Sequence, residues 1–220
     1  DVKSSLEGID TLTIMGWCRR DATDGTIVNK GSYWTTTDFG MQFQKHVDGT
    51  GASDGRWRFS IGDSFNTWSS APSDIKTGDV GSGSTYVPIW HHYTITYNKN
   101  AGSLAEAATM YIDGQVVTDT PAGSLASVGT YGTNITIGST STGANDLNGN
   151  IKNVGIWNRV LNQSEILTVM NKQYSKLRGS ELNGLQFWAD LDSDLNAKDN
   201  SGNTITGTVS NNAAIVPKFI

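Results

Sequence analysis

The chain has 220 residues, enough to bury a sizeable core as one large all-β domain or as two small ones. Its formal net charge is -5 and its 16 Lys and Arg are scattered along the chain, which argues against a nucleic-acid partner. No apolar run approaches the roughly 20 residues that span a bilayer, and the single cysteine, Cys18, excludes an intrachain disulfide.

Gly, Ser, Thr, Asn and Asp are plentiful, Pro is sparse, and short apolar runs recur between turn clusters. That composition favours a single all-β domain of the sandwich or barrel kind over 1–220. The chain opens on Asp1 without a signal-like segment, as a processed or trimmed start would.

Asp10 to Arg20 reads as the first strand, with Trp17 as a core anchor and Cys18 as a small buried hydrophobe. Asp21 to Gly25 is a turn, and Thr26 to Lys30 is expected to pair back on the first strand as a hairpin. Gly31 to Thr37 is a polar and aromatic loop, Phe39 to Gln44 a half-exposed strand, and Arg56 to Ile61 another alternating strand. Between Gly62 and Tyr86 the period is lost; loops this long are uncommon and often functional, which marks Asp63 to Trp68.

In Trp90 to Tyr97, Tyr93, Ile95 and Tyr97 alternate with His92, Thr94 and Thr96. Met110 to Val117 repeats the pattern around an Asp113-Gly114 turn, so the two read as adjacent strands of an interior scaffold. Asn134 to Gly138 and Asn148 to Trp157 are further strands. Asn162, with Glu165 three residues on, then begins the one helical pattern, in which Ile166, Val169, Met170, Gln173, Tyr174 and Leu177 recur at helical spacing. Gly179 is expected to close it as the C′ residue, and the helix to cap one end of a sandwich. A strand at Leu185 to Trp188, an acidic turn region from Asp190 to Asn203 and a short strand from Thr204 to Val209 complete the chain.

Several of these segments recur in a familiar order. They are Thr13 to Trp17, Ile27 to Gly31, Trp90 to Tyr97, Tyr111 to Gly114, Ile135 to Gly138, Leu147 to Ile151, and Ile156 to Leu161 leading to Ser164-Glu165-Ile166. Across roughly residues 10 to 178 the series resembles the laminin G-like domains of the concanavalin A-like lectin/glucanase superfamily. The resemblance implies an all-β, two-sheet antiparallel β-sandwich (jelly-roll, concanavalin A-like) with one short capping helix. In such domains, segments like Leu185 to Trp188, Asp199 to Asn203 and Gly207 to Val209 precede the first tryptophan strand, whereas here they come last. Residues 183–210 are therefore expected to supply strands usually found at the N-terminus, a permutation that compact domains allow because their termini lie close together. Lys152 stands where relatives commonly carry an acidic residue, which weakens a calcium site at that edge.

Glucanases on this sandwich carry Glu-x-Asp-x-x-Glu on one strand, because hydrolysis with retention needs two carboxyls about 5 Å apart. The four glutamates here, Glu7, Glu106, Glu165 and Glu181, never share a strand, so glycosidase activity of that type is not expected. Nor does His91-His92 fit a triad or a zinc site, since there is no Gly-x-Ser-x-Gly and only His46 remains. Neighbours on a strand face opposite ways, so one of the pair packs or bonds within the sheet and the other meets solvent.

Asp190, Asp192, Asp194, Asp199 and Asn203 form the most oxygen-rich region. It fits a solvated Asx-type turn, and it also fits Ca2+, which favours carboxylate and amide oxygens at this density. Tyr33, Trp34, Phe65 and Trp68 sit among Ser, Thr and Asn. Aromatic faces beside amides and hydroxyls suit sugars or protein partners, and the same rings can simply pin long loops to the sandwich. The first functional expectation is a non-catalytic binding or adhesion module of a secreted or particle-surface protein that recognises a glycan or surface protein through those aromatics. The second is a structural virion component, a capsid decoration or fibre protein, that uses the sandwich to form a homo-oligomer or a virion assembly. Either role is played outside the cell, at a cell surface or on a virion surface.

Overall fold

Short alternating runs of β-branched and aromatic residues bury their apolar sides only by pairing laterally and stacking face to face. The computed structural model describes residues 5–20, 25–31, 39–46, 56–62, 66–70, 89–117, 119–129, 134–140, 143, 146–191, 196–199 and 202–206. Its strands begin with β1 (Thr11–Arg20), β2 (Gly25–Gly31), β3 (Phe39–His46), β4 (Arg56–Ile61) and β5 (Asn66–Ser70). Next come β6 (His91–Asn98), β7 (Ala108–Ile112), β8 (Gln115–Val117), β9 (Asp119–Ala122), β10 (Ile135–Ile137) and β11 (Gly149–Trp157). The last are β12 (Leu185–Ala189), β13 (Ala197–Asp199) and β14 (Thr204–Ile205). Helices α1 (Leu104–Ala107) and α2 (Gln163–Val169) interrupt them, with 3-10 turns at Tyr174–Lys176 and Gly179–Leu182.

Among the described residues the strands form two antiparallel sheets. One has eight strands in the order β14-β13-β12-β11-β1-β6-β7-β8, the other six in the order β10-β2-β3-β4-β5-β9. Leu12, Ile14, Ile95, Tyr97, Val154 and Ile156 of the first sheet meet Val28, Met41, Phe43, Phe59 and Ile61 of the second in one buried core. Rings bridge the two layers, with Trp57 3.7 Å from Tyr93 and Phe59 5.9 Å from Tyr97 between centroids. A second cluster, including Met15, Trp157, Ile166, Val169, Leu177 and Trp188, lies under α2. Gly155 makes room for it: a Cβ there would lie 2.6 Å from the Trp157 ring and 2.8 Å from that of Trp188.

The paired central strands stand as expected, with Tyr93 opposite Ile112 and Tyr97 opposite Ala108. Asp113 and Gly114 turn the chain into β8 with positive φ of 51° and 76°. Residues 185–189, 197–199 and 204–205 join the eight-stranded sheet as its outer three strands.

Four expectations are corrected. β2 does not fold back on β1; it pairs with β3 and β10 in the facing sheet, while both sides of β1 are taken by β6 and β11. Crossing over lets Ile27 approach Gly16 through the core, with its Cγ2 3.8 Å from a Cβ built there. Trp17 does not anchor the central core, because alternation sends Leu12, Ile14 and Cys18 inward and Trp17 outward, where its Nε1 donates to the Met170 carbonyl at 2.6 Å. β3 is not half-exposed over its described side chains: Met41, Gln42 and Phe43 are all buried in a strand flanked by β2 and β4. Finally, α2 ends at Val169, and Gly179 opens a 3-10 turn instead of closing the helix.

Candidate functional site

Two of the expected aromatic positions fall in the connection after β2 and one in the connection between β4 and β5. Gly31 pairs with Phe39, Met41 with Ile61, and Ile61 with Asn66, so the strand ends that flank residues 32–38 and 63–65 lie at one end of the six-stranded sheet. Tyr33, Trp34 and Phe65 themselves lie outside the described residues. Trp68 belongs to a strand, not a loop: its backbone sits in β5 between Phe59 and Pro121. Topology thus brings together, at one end of one sheet, the strand ends that flank the connections with Tyr33, Trp34 and Phe65, while register sets position 68 opposite the inward Phe59, an arrangement that long-range pairing creates and local sequence hides.

The same sheet turns polar side chains away from the core. Asn29 is opposite Gln42, and Gln42 opposite Ser60, a row that alternates along the strands with the inward Val28, Phe43 and Phe59. Gln42 Nε2 donates to Thr26 Oγ1 at 3.1 Å, and Asn29 Nδ2 donates to the Gly31 carbonyl at 2.9 Å. Thr26, Asn29, Gln42 and Ser60 are all buried, and Asn29 Oδ1 has no hydrogen-bond partner among the described residues. Lys30 is fully buried near the same end, its Nζ 3.5 Å from Glu7 Oε1 and 3.4 Å from the Gly129 carbonyl oxygen.

The histidine pair serves the scaffold. His92 is fully buried and packs edge-on to Trp17 at 5.4 Å, with Nδ1 3.3 Å from Thr94 Oγ1. Burial lowers its pKa from 6.5 to about 3, and nearby Asp113 only partly opposes this. His91 Nδ1 lies 2.7 Å from Asp113 Oδ2, while the His92 backbone N–H donates to Asp113 Oδ1 at 2.9 Å. Burial pulls the Asp113 carboxyl upward, but these hydrogen bonds outweigh it and hold the group below its ordinary value. Sequence reasoning missed the neighbouring stack, in which Lys152 Nζ lies 4.6 Å from the Trp90 ring centroid and 5.6 Å from that of Trp17.

The acidic turn is partly described. Asp190 Oδ1 accepts from Trp188 Nε1 at 2.6 Å and from the Tyr174 N–H at 2.9 Å, which ties β12 to the segment after α2. Asp199 Oδ1 accepts from the Asn203 N–H at 2.9 Å and its Oδ2 from Asn203 Nδ2 at 3.3 Å, an Asx arrangement within the β13-β14 hairpin. Asp192 and Asp194 lie outside the described residues, among which no group of three or more His, Cys, Asp or Glu is placed to hold a metal ion. Beside Asp190 opens a cavity of about 240 Å³, bounded by Tyr174 and Ser175 on one side and by residues of β12, β13 and β14 on the other.

The glutamates lie on separate elements. Glu7 faces Lys30, Glu165 closes the cap of α2 and pairs with Arg159, and Glu181 pairs with Lys172 and accepts from the Arg178 N–H. Glu106 is exposed on α1.

Residues 2–167 match the model of the Laminin G 3 family, described as part of the concanavalin A-like lectin/glucanases superfamily. Among solved structures, the chain is similar to a candidate carbohydrate-binding protein from Bacteroides ovatus, with a TM-score of 0.60 and 15% identity over 89% of this chain and 51% of that one. The chain thus spans about half the length of that structure. It is also similar to the CBM40 of the Ruminococcus gnavus IT-sialidase, bound there to α2,6 sialyllactose, with a TM-score of 0.53 and 12% identity over 74% and 85% of the two chains. A third similar structure is the heptameric SAP-like pentraxin of Limulus polyphemus, with a TM-score of 0.51 and 14% identity over 74% and 71%. No curated protein matches the sequence significantly.

Proposed function

Because the chain belongs to the Laminin G 3 family of the concanavalin A-like lectin/glucanases superfamily, we propose that it is a non-catalytic module that binds glycans. It would act outside the cell or on a surface, with the aromatic end of the six-stranded sheet as its recognition site. The observation that carries this reading is the convergence there of the strand ends that flank the connections bearing Tyr33, Trp34 and Phe65; Trp68, opposite the inward Phe59, stands at a core-facing register position and is left out of the site. Aromatic rings accept the C–H faces of sugars while amides and hydroxyls bond their hydroxyl groups. Fold alone does not select a function on this sandwich, so the site must be tested directly.

A glycan array probed with the wild-type chain, Trp34→Ala and Tyr33→Ala supplies that test. Truncating an aromatic anchor of a binding site typically costs more than 1 kcal/mol, so either variant should bind its glycan about tenfold more weakly or worse. Retention unchanged in both variants would remove this site. Calcium at the 190–203 turn is a subsidiary part of the proposal, and the same array run in calcium and in chelator reads it out. An obligate assembly in solution with no glycan retained would instead favour a structural virion component.

A further inference from the structure

We propose that the cavity on the outer face of the eight-stranded sheet is a second saccharide site, shaped for one neutral terminal hexose. The inference rests on reading the chain as a glycan-binding module, and it involves residues on the sheet opposite the aromatic end.

The floor of the cavity follows from strand register. Trp188 stands opposite Lys198, and Lys198 opposite Thr204, and directly opposed residues of antiparallel strands share a face. Trp188 is rigidly held: it is buried, packs edge-on to Trp157 at 5.8 Å across the space left by Gly155, and donates Nε1–H to Asp190. Tyr174 and Ser175 form the opposing side, and the Tyr174 phenol reaches Gly202, where an added Cβ would lie 2.9 Å from its oxygen. At about 240 Å³ the space is smaller than drug-sized pockets, which run from about 300 to 1,000 Å³, and it suits a single sugar ring.

The polar groups define the ligand. Both donors to Asp190 use Oδ1, and Oδ2 has no protein donor among the described residues. Lys198 Nζ donates one of its three protons to Thr204 Oγ1 at 2.6 Å, and its others meet no acceptor among the described residues. A hydroxyl can therefore donate to the carboxylate while its neighbour on the ring accepts from the ammonium, and the Tyr174 ring offers an apolar surface for the C–H face. One negative and one positive group in so small a space offset each other, which favours a neutral ring over an anionic or cationic one.

The test uses the indole N–H of Trp188, which points at Asp190 and is assigned by its disappearance from the 1H–15N spectrum of Trp188→Phe. Methyl α-D-glucopyranoside, methyl α-D-mannopyranoside and methyl β-D-galactopyranoside are titrated into the full chain. At least one should shift that signal saturably. Lys198→Met should weaken the response about tenfold, the worth of one charge-assisted hydrogen bond. Ser175→Ala provides a second, milder perturbation if Lys198→Met loses its dispersed spectrum. The proposal fails if none of the three glycosides moves the Trp188 signal well into the millimolar range, or if the response survives both variants. Array binding that disappears in Trp34→Ala beside a silent Trp188 signal would keep the first site and remove the second. A responsive Trp188 signal with an array indifferent to Trp34→Ala and Tyr33→Ala would do the reverse.

Discussion

His92 carries the sharpest residue-scale consequence, because an imidazole that stays neutral inside the fold must be charged outside it at mildly acidic pH. Its folded pKa is about 3 against 6.5 in the open chain. Within that window the unfolded state binds the extra proton, so stability is full above pH 6.5 and drains as pH falls towards 3, by up to about 1.4 kcal/mol per pH unit. The urea midpoint should fall between about pH 7 and pH 5, and His92→Gln should flatten that slope. A wild-type midpoint constant over that range would contradict the assignment. Alternation in the sequence foretold that one histidine of the pair packs. It did not foretell that His91 would be only 12% exposed, since its partner Asp113 arrives through the register of β6 with β7 and not through local sequence.

At the scale of elements, the helix N-cap was legible, while the helix C-terminus and the element lengths were not. Asn162 Oδ1 accepts from the Glu165 N–H at 3.0 Å, and Glu165 Oε2 accepts from the Asn162 N–H at 2.9 Å, the reciprocal cap that the two residue types announce. Asn162→Ala should therefore lower stability by about 1 kcal/mol, read as a lower midpoint in chemical denaturation, and an unchanged midpoint would mean that packing alone holds α2. The apolar spacing ran on to Leu177, yet the helix stops at Val169. There, backbone groups find competing partners: the Lys172 N–H donates to the Val169 carbonyl and the Tyr174 N–H to Asp190, the residue just after β12. Such a competitor, 16 residues away, leaves no mark on the local pattern. The misread hairpin of β1 and β2 has a similar origin, since alternation identifies a strand but not the sheet that takes it.

For the molecule as a whole, the C-terminal strands close the architecture. Leu185, Phe187, Trp188, Ala189 and Ala197 are buried, and β12 covers the edge of β11. Ending the chain after Asn183 would expose that edge and remove the large side chains of Leu185, Phe187 and Trp188, worth about 1.5–3 kcal/mol each, together on the order of the 5–15 kcal/mol that holds a typical domain folded. The truncated chain should lose its cooperative thermal transition by circular dichroism. A melting temperature within a few degrees of the full chain's would instead make residues 184–220 an accessory.

The sequence by itself determined that the chain is all-β with one N-capped helix, because period-two alternation, turn residues and capping pairs act over a few residues and leave local signatures; the order of its motifs, through their resemblance to laminin G-like domains, narrowed this to a two-sheet sandwich. It also pointed to the oxygen-rich turn after Trp188. Only the tertiary structure decided which sheet receives each strand, that Trp17 faces outward, and that Trp188, Lys198 and Thr204 line up beside Tyr174 to bound a cavity. The same holds for the gathering at one sheet end of the strand ends that flank the connections with Tyr33, Trp34 and Phe65. Those outcomes depend on pairing between distant strands, where the energy belongs to the contact surface and not to either segment alone.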